Sequence, residues 1–132
     1  MGTALRTSIG KIVVTPAAHK IHVEVDPGIV DLVRALLPPH IRLNRTRYEP
    51  HITTVRDEEV PRWEVAAELH GTPIPFEYDP RVVAGEVYWW LRVWSPELVR
   101  LRRSLGLSDL SELCRPPDLE DCFHITVGNT KR

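Results

Sequence analysis

The feature that most constrains this chain is an internal repeat. Asp26–Leu36 (DPGIVDLVRAL) aligns with Ser95–Leu105 (SPELVRLRRSL) at an offset of 69 residues. Each segment begins with a helix-capping residue followed by proline, and continues with apolar residues at helical spacing. Each is preceded by a strand-like stretch and followed, after a loop, by His-Ile-Thr. The pattern predicts two copies of one strand–helix–strand unit, over about 21–56 and 86–128.

Two explanations fit this repeat. Amphipathic helices can match by chance, because Leu and Val are common residues. Agreement in the cap, in the helical register and in the motif that follows favours duplication instead. A chain of 132 residues is long enough for one domain with a single core. We therefore expect one two-lobed domain over residues 1–132.

Local patterns predict the remaining elements. β-branched and aromatic residues favour five strands, at Gly10–Thr15, Ile21–Val25, His51–Val55, Glu86–Trp94 and Phe123–Val127. Pro61–His70 is expected to form a helix that ends at Gly71. Pro73–Tyr78 is expected to be extended, and its two prolines suit the edge of a sheet. In the second repeat helix, the apolar spacing includes one charged residue, Arg102.

The composition limits the kind of partner. The formal net charge is −1, which argues against a protein that coats long nucleic acid through a strong basic field. A small anionic ligand needs only a local positive pocket. No apolar run is long enough to span a membrane, and two cysteines are too few for a disulfide scaffold. We expect a cytosolic (cytoplasmic) protein with inert thiols at Cys114 and Cys122.

The two His-Ile-Thr strands carry groups suited to acid–base chemistry. Side chains alternate along a strand, so His51 shares a face with Thr53, and His124 shares a face with Thr126. If the strands lie together or face each other across a groove, two imidazoles and two hydroxyls converge. One neutral imidazole can accept a proton from a nucleophilic oxygen, while the other, protonated, donates one to the leaving oxygen. The hydroxyls can bind phosphate oxygens as charge develops, and this chemistry requires no metal and no cofactor.

A single His-x-Thr in a strand is usually only a strand, and the pairing of two copies after matched helices is what indicates a site. The other histidines that lack a partner motif are interpreted as surface or internally hydrogen-bonded residues: His19, His22, His40 and His70. Cys114, Cys122 and His124 could form a partial metal site, but they lack the number and spacing of ligands of a structural zinc site.

These motifs resemble those of a known group. The paired His-x-Thr signature, each copy closing a strand–helix–strand unit, is similar to that of the 2H phosphoesterase superfamily. The stretch EVYWWLRVWSPELVRLRRSLGL followed by FHITVGN resembles the second half of its members. Within the superfamily, LNRTRYEPHITTVRDE and FHITVGNTKR look most like the phage anti-CBASS nucleases. Those enzymes degrade the cyclic oligonucleotides that bacteria use as infection alarms.

The resemblance implies a fold and a mechanism. The fold would be α+β, with antiparallel sheets, helices on the outside and a central groove. His51 and His124 would form the acid–base pair of a hydrolase, and the motif threonines would bind the phosphate. A ribose 2′-OH would attack the adjacent 3′–5′ phosphate of a cyclic di- or oligonucleotide, and water would open the resulting 2′,3′-cyclic phosphate. A phage-encoded protein of this kind would act in the host bacterial cytosol.

Two other functions remain open. A phosphodiesterase for 2′,3′-cyclic or 2′–5′-linked RNA ends would use the same four groups on a short RNA. A non-catalytic protein that binds cyclic nucleotides would need the groove but not two proton-transfer groups, so the intact set disfavours it. Nothing in the sequence indicates an oligomeric state.

Further residues could contact a substrate. In the strand of the second repeat, Tyr88, Trp90 and Arg92 share one face. Aromatic rings stack on nucleobases and arginine pairs with phosphate; aromatic packing under a helix is the competing interpretation. Arg56 is the best phosphate contact near the first motif. Simple alternation puts Arg56 on the face opposite His51, so a bulge or a strand end would be needed.

Overall fold

Within residues 4–132, the fold contains seven strands and two α-helices. The structure is a computed structural model that describes this range, so residues 1–3 of the domain predicted over 1–132 lie outside the described part. The strands are β1 (Arg6–Thr15), β2 (Lys20–Glu24), β3 (His51–Val55), β4 (Pro73–Tyr78), β5 (Val83–Ala84), β6 (Tyr88–Trp94) and β7 (Phe123–Asn129). The helices are α1 (Pro27–Ala35) and α2 (Pro96–Ser104), and 3-10 segments cover Pro16–Ala18 and Trp63–Leu69.

All seven strands of the described part belong to one antiparallel sheet, in the order β4-β1-β2-β3-β7-β6-β5. An additional pairing between β4 and β6 joins the two sides, so that six strands form a closed sheet. The two predicted repeat units meet at its middle, where β3 from the first lies beside β7 from the second. The domain is therefore α+β, and its origin by duplication stays an interpretation of the sequence.

The two helices match in length and in the way they begin. α1 and α2 each contain nine residues. The Asp26 carboxylate accepts a hydrogen bond from the Gly28 amide at 2.9 Å, and the Ser95 hydroxyl accepts one from the Leu98 amide at 3.2 Å. These caps satisfy amide groups that a helix leaves unpaired in its first turn. Both predicted helix starts are confirmed. Across residues 4–132, no helix has the length and apolar character needed to cross a membrane.

One predicted element is of a different type in the structure. Pro61–His70 does not form an α-helix, and Trp63–Leu69 is instead a 3-10 helix. Ala66 is the fully buried residue of this segment, while Trp63, Val65 and Leu69 are only partly buried against the core. The segment thus lacks the continuous buried face that stabilises regular α-helical turns. The extended prediction for Pro73–Tyr78 is confirmed as β4. β4 pairs with β6 only through its last two residues, away from its prolines, which lack the N–H that a ladder needs.

The hydrophobic core lies behind the middle strands. Ile52 of β3 and Ile125 of β7 are fully buried and directly paired. Val23 of β2 and Leu91 of β6 are buried on either side of them. Burying a side chain of this size contributes about 1.5–3 kcal/mol. A register slip of one residue would turn these apolar side chains away from the core, so their burial fixes which residues occupy the opposite face.

Candidate functional site

The two His-x-Thr motifs meet at the middle of the sheet. The antiparallel register of β3 and β7, fixed by their paired isoleucines, sets His51 opposite Thr126. By the same register, Thr53 lies opposite His124. The histidines thus occupy one diagonal of a four-residue arrangement, which we call the His–Thr square, and the threonines occupy the other. Diagonal neighbours in an antiparallel pair are roughly 7–8 Å apart, which leaves room for one phosphate between two imidazoles.

Each motif is followed at once by a β-bulge. Thr54 of β3 is left out of the pairing with β2, and Val127 of β7 is left out of the pairing with β6. Both extra residues come directly after the threonine of the motif. A bulge bends its strand and re-aims the side chains around it. The two halves therefore share a local backbone irregularity at the same place, in addition to the motif itself.

The bulge in β3 decides which face Arg56 occupies. Because Thr54 is an extra residue, Val55 pairs with the buried Ile21. The residue after Val55 then returns to the face of His51. Arg56 accordingly lines the same groove as His51. The bulge that Arg56 needs in order to share a face with His51 is therefore present in β3.

Both motif histidines are held at the same ring nitrogen. His51 Nδ1 is 2.8 Å from the carbonyl oxygen of Glu49, and His124 Nδ1 is 3.1 Å from the carbonyl oxygen of Cys114. A carbonyl oxygen can only accept a hydrogen bond, so Nδ1 carries the hydrogen and donates in each case. In the neutral ring, Nε2 is then the basic nitrogen. Both imidazoles are oriented to exchange a proton through Nε2.

The surroundings of His124 favour its neutral form. Burial is the main reason that the pKa of His124 lies below its usual value; the Cys114 carbonyl raises this pKa, and nearby His51 lowers it. A histidine whose pKa is lowered is unprotonated at neutral pH and can accept a proton. At neutral pH the His124 ring is therefore available to accept a proton.

A third histidine lies on the same face. His22 of β2 pairs with Thr53, and its ring centroid is 5.4 Å from that of His51, edge to face. Burial lowers the pKa of His22, as does the charge of His51, whereas Glu24 raises it. From the sequence, His22 was predicted to be a surface or internally hydrogen-bonded residue. Its proximity to His51 was not predicted, because that proximity depends on which strand pairs with β3.

The His–Thr square lies in a groove of about 550 Å³. Basic side chains outnumber acidic ones in its lining, with Arg47, Arg56, Arg115 and Lys131 against Glu49 and Glu112. Two of these cations are paired with carboxylates, Arg56 with Asp57 and Arg115 with Asp121, so the groove has a modest excess of positive charge in a chain whose net charge is −1. A second cavity of about 410 Å³ adjoins the groove over β2 and shares His51, Thr53 and Arg56 with it.

Most of the site residues predicted from the sequence line this groove, namely His51, Thr53, Arg56, Tyr88, His124 and Thr126. Among the described residues, Trp90 and Arg92 are not part of the lining. Trp90 is only 2% exposed and its indole ring packs close to Gly85. Arg92 forms ion pairs with Glu120 and Asp79, which compensate its charge. Substrate contact by Trp90 or Arg92 stays a prediction, and their placement favours the packing interpretation.

Two exposed tyrosines line the groove, one from each half of the chain. Tyr48 precedes β3 and Tyr88 begins β6. Arg47 lies 5.7 Å from the ring centroid of Tyr48, and Lys131 lies 4.9 Å from that of Tyr88. An aromatic ring next to a cation offers a surface for a stacked base beside a charge for its phosphate. Tyr48 was missed by sequence reasoning, although its position shortly before His51 was a usable signal.

Carboxylate, thiol and imidazole groups are the side chains that could bind a metal ion. Within residues 4–132, no three His, Cys, Asp or Glu side chains are grouped so as to hold a metal ion. Cys114 and Cys122 are buried and free. Burial raises the pKa of both thiols, that of Cys122 to about 11, so both are protonated at neutral pH and poorly reactive.

No family model, no curated protein and no solved structure matches this chain. Membership of the 2H phosphoesterase superfamily thus stays a prediction from the paired motifs and their flanks. The register of the His–Thr square and the groove around it do not depend on that membership.

Proposed function

We propose that this protein is a metal-independent phosphodiesterase that hydrolyses the 3′–5′ linkages of cyclic di- or oligonucleotides. The observation that carries the proposal is the His–Thr square, with two imidazoles on one diagonal and two hydroxyls on the other. Displacement at phosphorus needs a base on one side of the phosphate and an acid on the other. Histidines on a diagonal meet this need, and the threonine hydroxyls can donate to the non-bridging oxygens.

The first step exchanges one phosphorus–oxygen bond for another. His124 Nε2 accepts the proton of the ribose 2′-OH, and the 2′ oxygen forms a bond to the adjacent phosphorus. The bond from phosphorus to the 5′ oxygen breaks, and His51 donates a proton to that oxygen. The products are a 2′,3′-cyclic phosphate and a free 5′-OH. In a second step, water opens the cyclic phosphate with the two histidines in exchanged roles, which leaves a 3′-phosphate.

The sequence does not show which of the two histidines acts as the base in the first step. The two motifs are equivalent in sequence, whereas burial favours the neutral ring at His124. A base must be unprotonated before the reaction starts. His51 is then the donor to the leaving oxygen, and its Nδ1 contact with Glu49 leaves Nε2 as the atom that carries the proton.

The extent of the groove supports a substrate with nucleotides on both sides of the cleaved phosphate. The groove of about 550 Å³ and the adjoining cavity of about 410 Å³ share residues and form one continuous surface. Tyr48 and Tyr88 provide an exposed ring from each half of the chain, suited to two bases. A 2′,3′-cyclic mononucleotide would occupy less of this surface, and a non-catalytic binder would have no use for two oriented histidines.

The test is cleavage by the purified protein in the presence of EDTA. Cyclic di- and trinucleotides, 2′,3′-cyclic AMP and 2′–5′ oligoadenylate are incubated separately, and products are identified by mass spectrometry. We expect linear products that end in a 2′,3′-cyclic phosphate or a 3′-phosphate. His51→Gln and His124→Gln are each expected to lower the rate about 10²- to 10⁴-fold. His40→Gln, at an exposed histidine outside the groove, is the matched control.

Other outcomes would point elsewhere. Turnover restricted to 2′,3′-cyclic AMP or to 2′–5′ oligoadenylate would favour an enzyme for RNA ends. Tight binding of a cyclic nucleotide without any turnover would favour a sensor. Loss of activity on chelation would rule out the metal-independent mechanism.

A further inference from the structure

Arg102 of α2 lies at the centre of a buried hydrogen-bond network. Its side chain is completely buried and forms a two-point ion pair with Glu58, at 2.7 and 2.8 Å. Nη1 also donates to the carbonyl oxygen of Thr54 at 2.8 Å, and Nε donates to the carbonyl oxygen of Ser108 at 2.8 Å. A buried charge is tolerated only when its donors are paired. The carboxylate and the two carbonyl groups together meet that condition.

Two of these contacts lead directly to the His–Thr square. Thr54 is the bulge residue that follows the first motif. Ser108 belongs to the loop that also contains Cys114, whose carbonyl oxygen accepts from His124. The Cys114 thiol donates to the Thr54 carbonyl oxygen at 3.0 Å, so the loop and the bulge are also joined without the arginine. Arg102 therefore contacts the strand of one motif and the loop that orients the histidine of the other.

Arg34 of α1 makes the corresponding contacts in the other direction. Nη1 donates to the carbonyl oxygen of Val127, the bulge residue of β7, at 3.2 Å. Nη2 donates to the carbonyl oxygen of Leu43, in the loop between α1 and β3, at 2.7 Å. Gly128 makes this approach possible, because a Cβ atom there would lie 2.8 Å from Nη1. Each helix thus sends one arginine to the bulge that follows the motif of the other repeat unit.

We propose that Arg102 and Arg34 are positioning residues that hold the two β-bulges, and with them the His–Thr square, in the geometry that phosphoryl transfer needs. Neither residue lines the groove of the described part of the chain, so each acts through the backbone that it holds. The kinetic effect of these arginines rests on the proposed function, whereas their effect on the histidine rings does not.

The kinetic test compares Arg102→Lys and Arg34→Gln with Arg103→Lys. Arg103 is the neighbour of Arg102 on α2 and pairs with the exposed Asp109 at 2.6 Å, so it is a matched control. With a cyclic dinucleotide, the first two variants are expected to lower kcat about 10- to 100-fold while KM changes much less, because a small misplacement of reacting groups is costly. The control is expected to keep wild-type values. Circular dichroism identifies which variants are folded.

A second readout follows the histidine rings without turnover. Nitrogen-15 NMR is expected to detect neutral His124 as the Nδ1–H tautomer in the wild type and in Arg103→Lys. In Arg102→Lys its signals are expected to shift toward a mixture of tautomers, and in Arg34→Gln the amide signals around Val127 are expected to shift.

Three results would overturn the positioning role. One is wild-type kcat together with unchanged NMR signals in folded Arg102→Lys. Another is the same result in Arg34→Gln, which decides the question if Arg102→Lys does not fold. A third is an equal loss of kcat in Arg103→Lys. If the wild type turns over no substrate while the NMR signals respond as expected, the proposed function fails and the positioning role stands.

Discussion

The carbonyl oxygen of Cys114 accepts a hydrogen bond from Nδ1 of His124 at 3.1 Å. The same residue donates its thiol hydrogen to the carbonyl oxygen of Thr54, on the strand of the other motif. One residue of a loop thus fixes the tautomer of a histidine with its backbone and contacts the neighbouring strand with its side chain. Cys114 is chemically inert as a thiol, but it connects the two halves of the site.

The motif threonines are expected to act on the transition state more than on substrate binding. Thr53→Val and Thr126→Val keep the branched shape of the side chain and remove the hydroxyl donor. Loss of one donor to the developing charge is expected to lower kcat about 10²- to 10³-fold, with little change in KM. Steady-state kinetics on a cyclic dinucleotide measure this. Thr72→Val, at an exposed threonine outside the groove, is the control. An effect on KM alone would contradict the assigned role.

The free energy of unfolding is expected to depend on pH through His124. Burial lowers the pKa of folded His124, whereas a histidine of the unfolded chain titrates near pH 6.5. Between these values the unfolded chain binds the proton more readily, so stability decreases as the pH falls below about 6.5 and is insensitive to this group above it.

Denaturant unfolding at about pH 7.5 and about pH 5.5, on either side of the usual histidine pKa, checks this dependence. His124→Gln is expected to lose less stability between the two conditions than the wild type. His40→Gln, at an exposed position, is expected to lose as much as the wild type. An equal loss in all three proteins would show that His124 does not contribute.

Breaking the ion pair between Arg102 and Glu58 is expected to be strongly destabilising, because it leaves a buried charge unpaired. Burial raises the pKa of Glu58, but the hydrogen bonds and the charge of Arg102, together with hydrogen bonds from Ser111 and the Arg56 backbone, bring it below its usual value. Glu58→Gln leaves the buried Arg102 charge without a counter-charge and is expected to lower the free energy of unfolding by about 3 kcal/mol. Glu59→Gln, at the exposed neighbouring residue, should change it by less than about 0.5 kcal/mol. Chemical denaturation compares the two, and similar small losses would contradict the prediction.

The two groove tyrosines are expected to contribute to binding through stacking. A stacked base is worth about 1–3 kcal/mol, so Tyr48→Ala and Tyr88→Ala are each expected to raise KM for a cyclic dinucleotide by a factor of about 5 to 150. Tyr48→Phe and Tyr88→Phe keep the ring and serve as controls with KM near the wild-type value. If both alanine variants bind as well as the wild type, the bases lie elsewhere.

Most strands, the two α-helices and their caps could be predicted because their signals are local. β-branched runs and the caps at Asp26 and Ser95 each need only a few neighbouring residues. The bulges at Thr54 and Val127 were not predictable in the same way, because a bulge is defined by its partner strand. Arg102 lies at the apolar spacing of α2, but its burial and its partners depend on distant segments and were not predicted. Hence the motif residues were found from the sequence, and the contacts that hold them were not.

The crossed contacts of Arg34 and Arg102 bear on how such a chain could have arisen and how it can change. The two arginines do not occupy equivalent positions, since at the offset of 69 residues Arg34 aligns with Arg103 and Arg102 aligns with Val33. A single strand–helix–strand unit would nevertheless have no second motif strand for its arginine to contact. Two separate copies would have to exchange helix contacts before a complete site formed. In the joined chain, a substitution of the arginine in either helix removes a contact with the β-bulge of the opposite half. A substitution in one half is therefore expected to be tolerated only where it keeps the contacts that the other half needs.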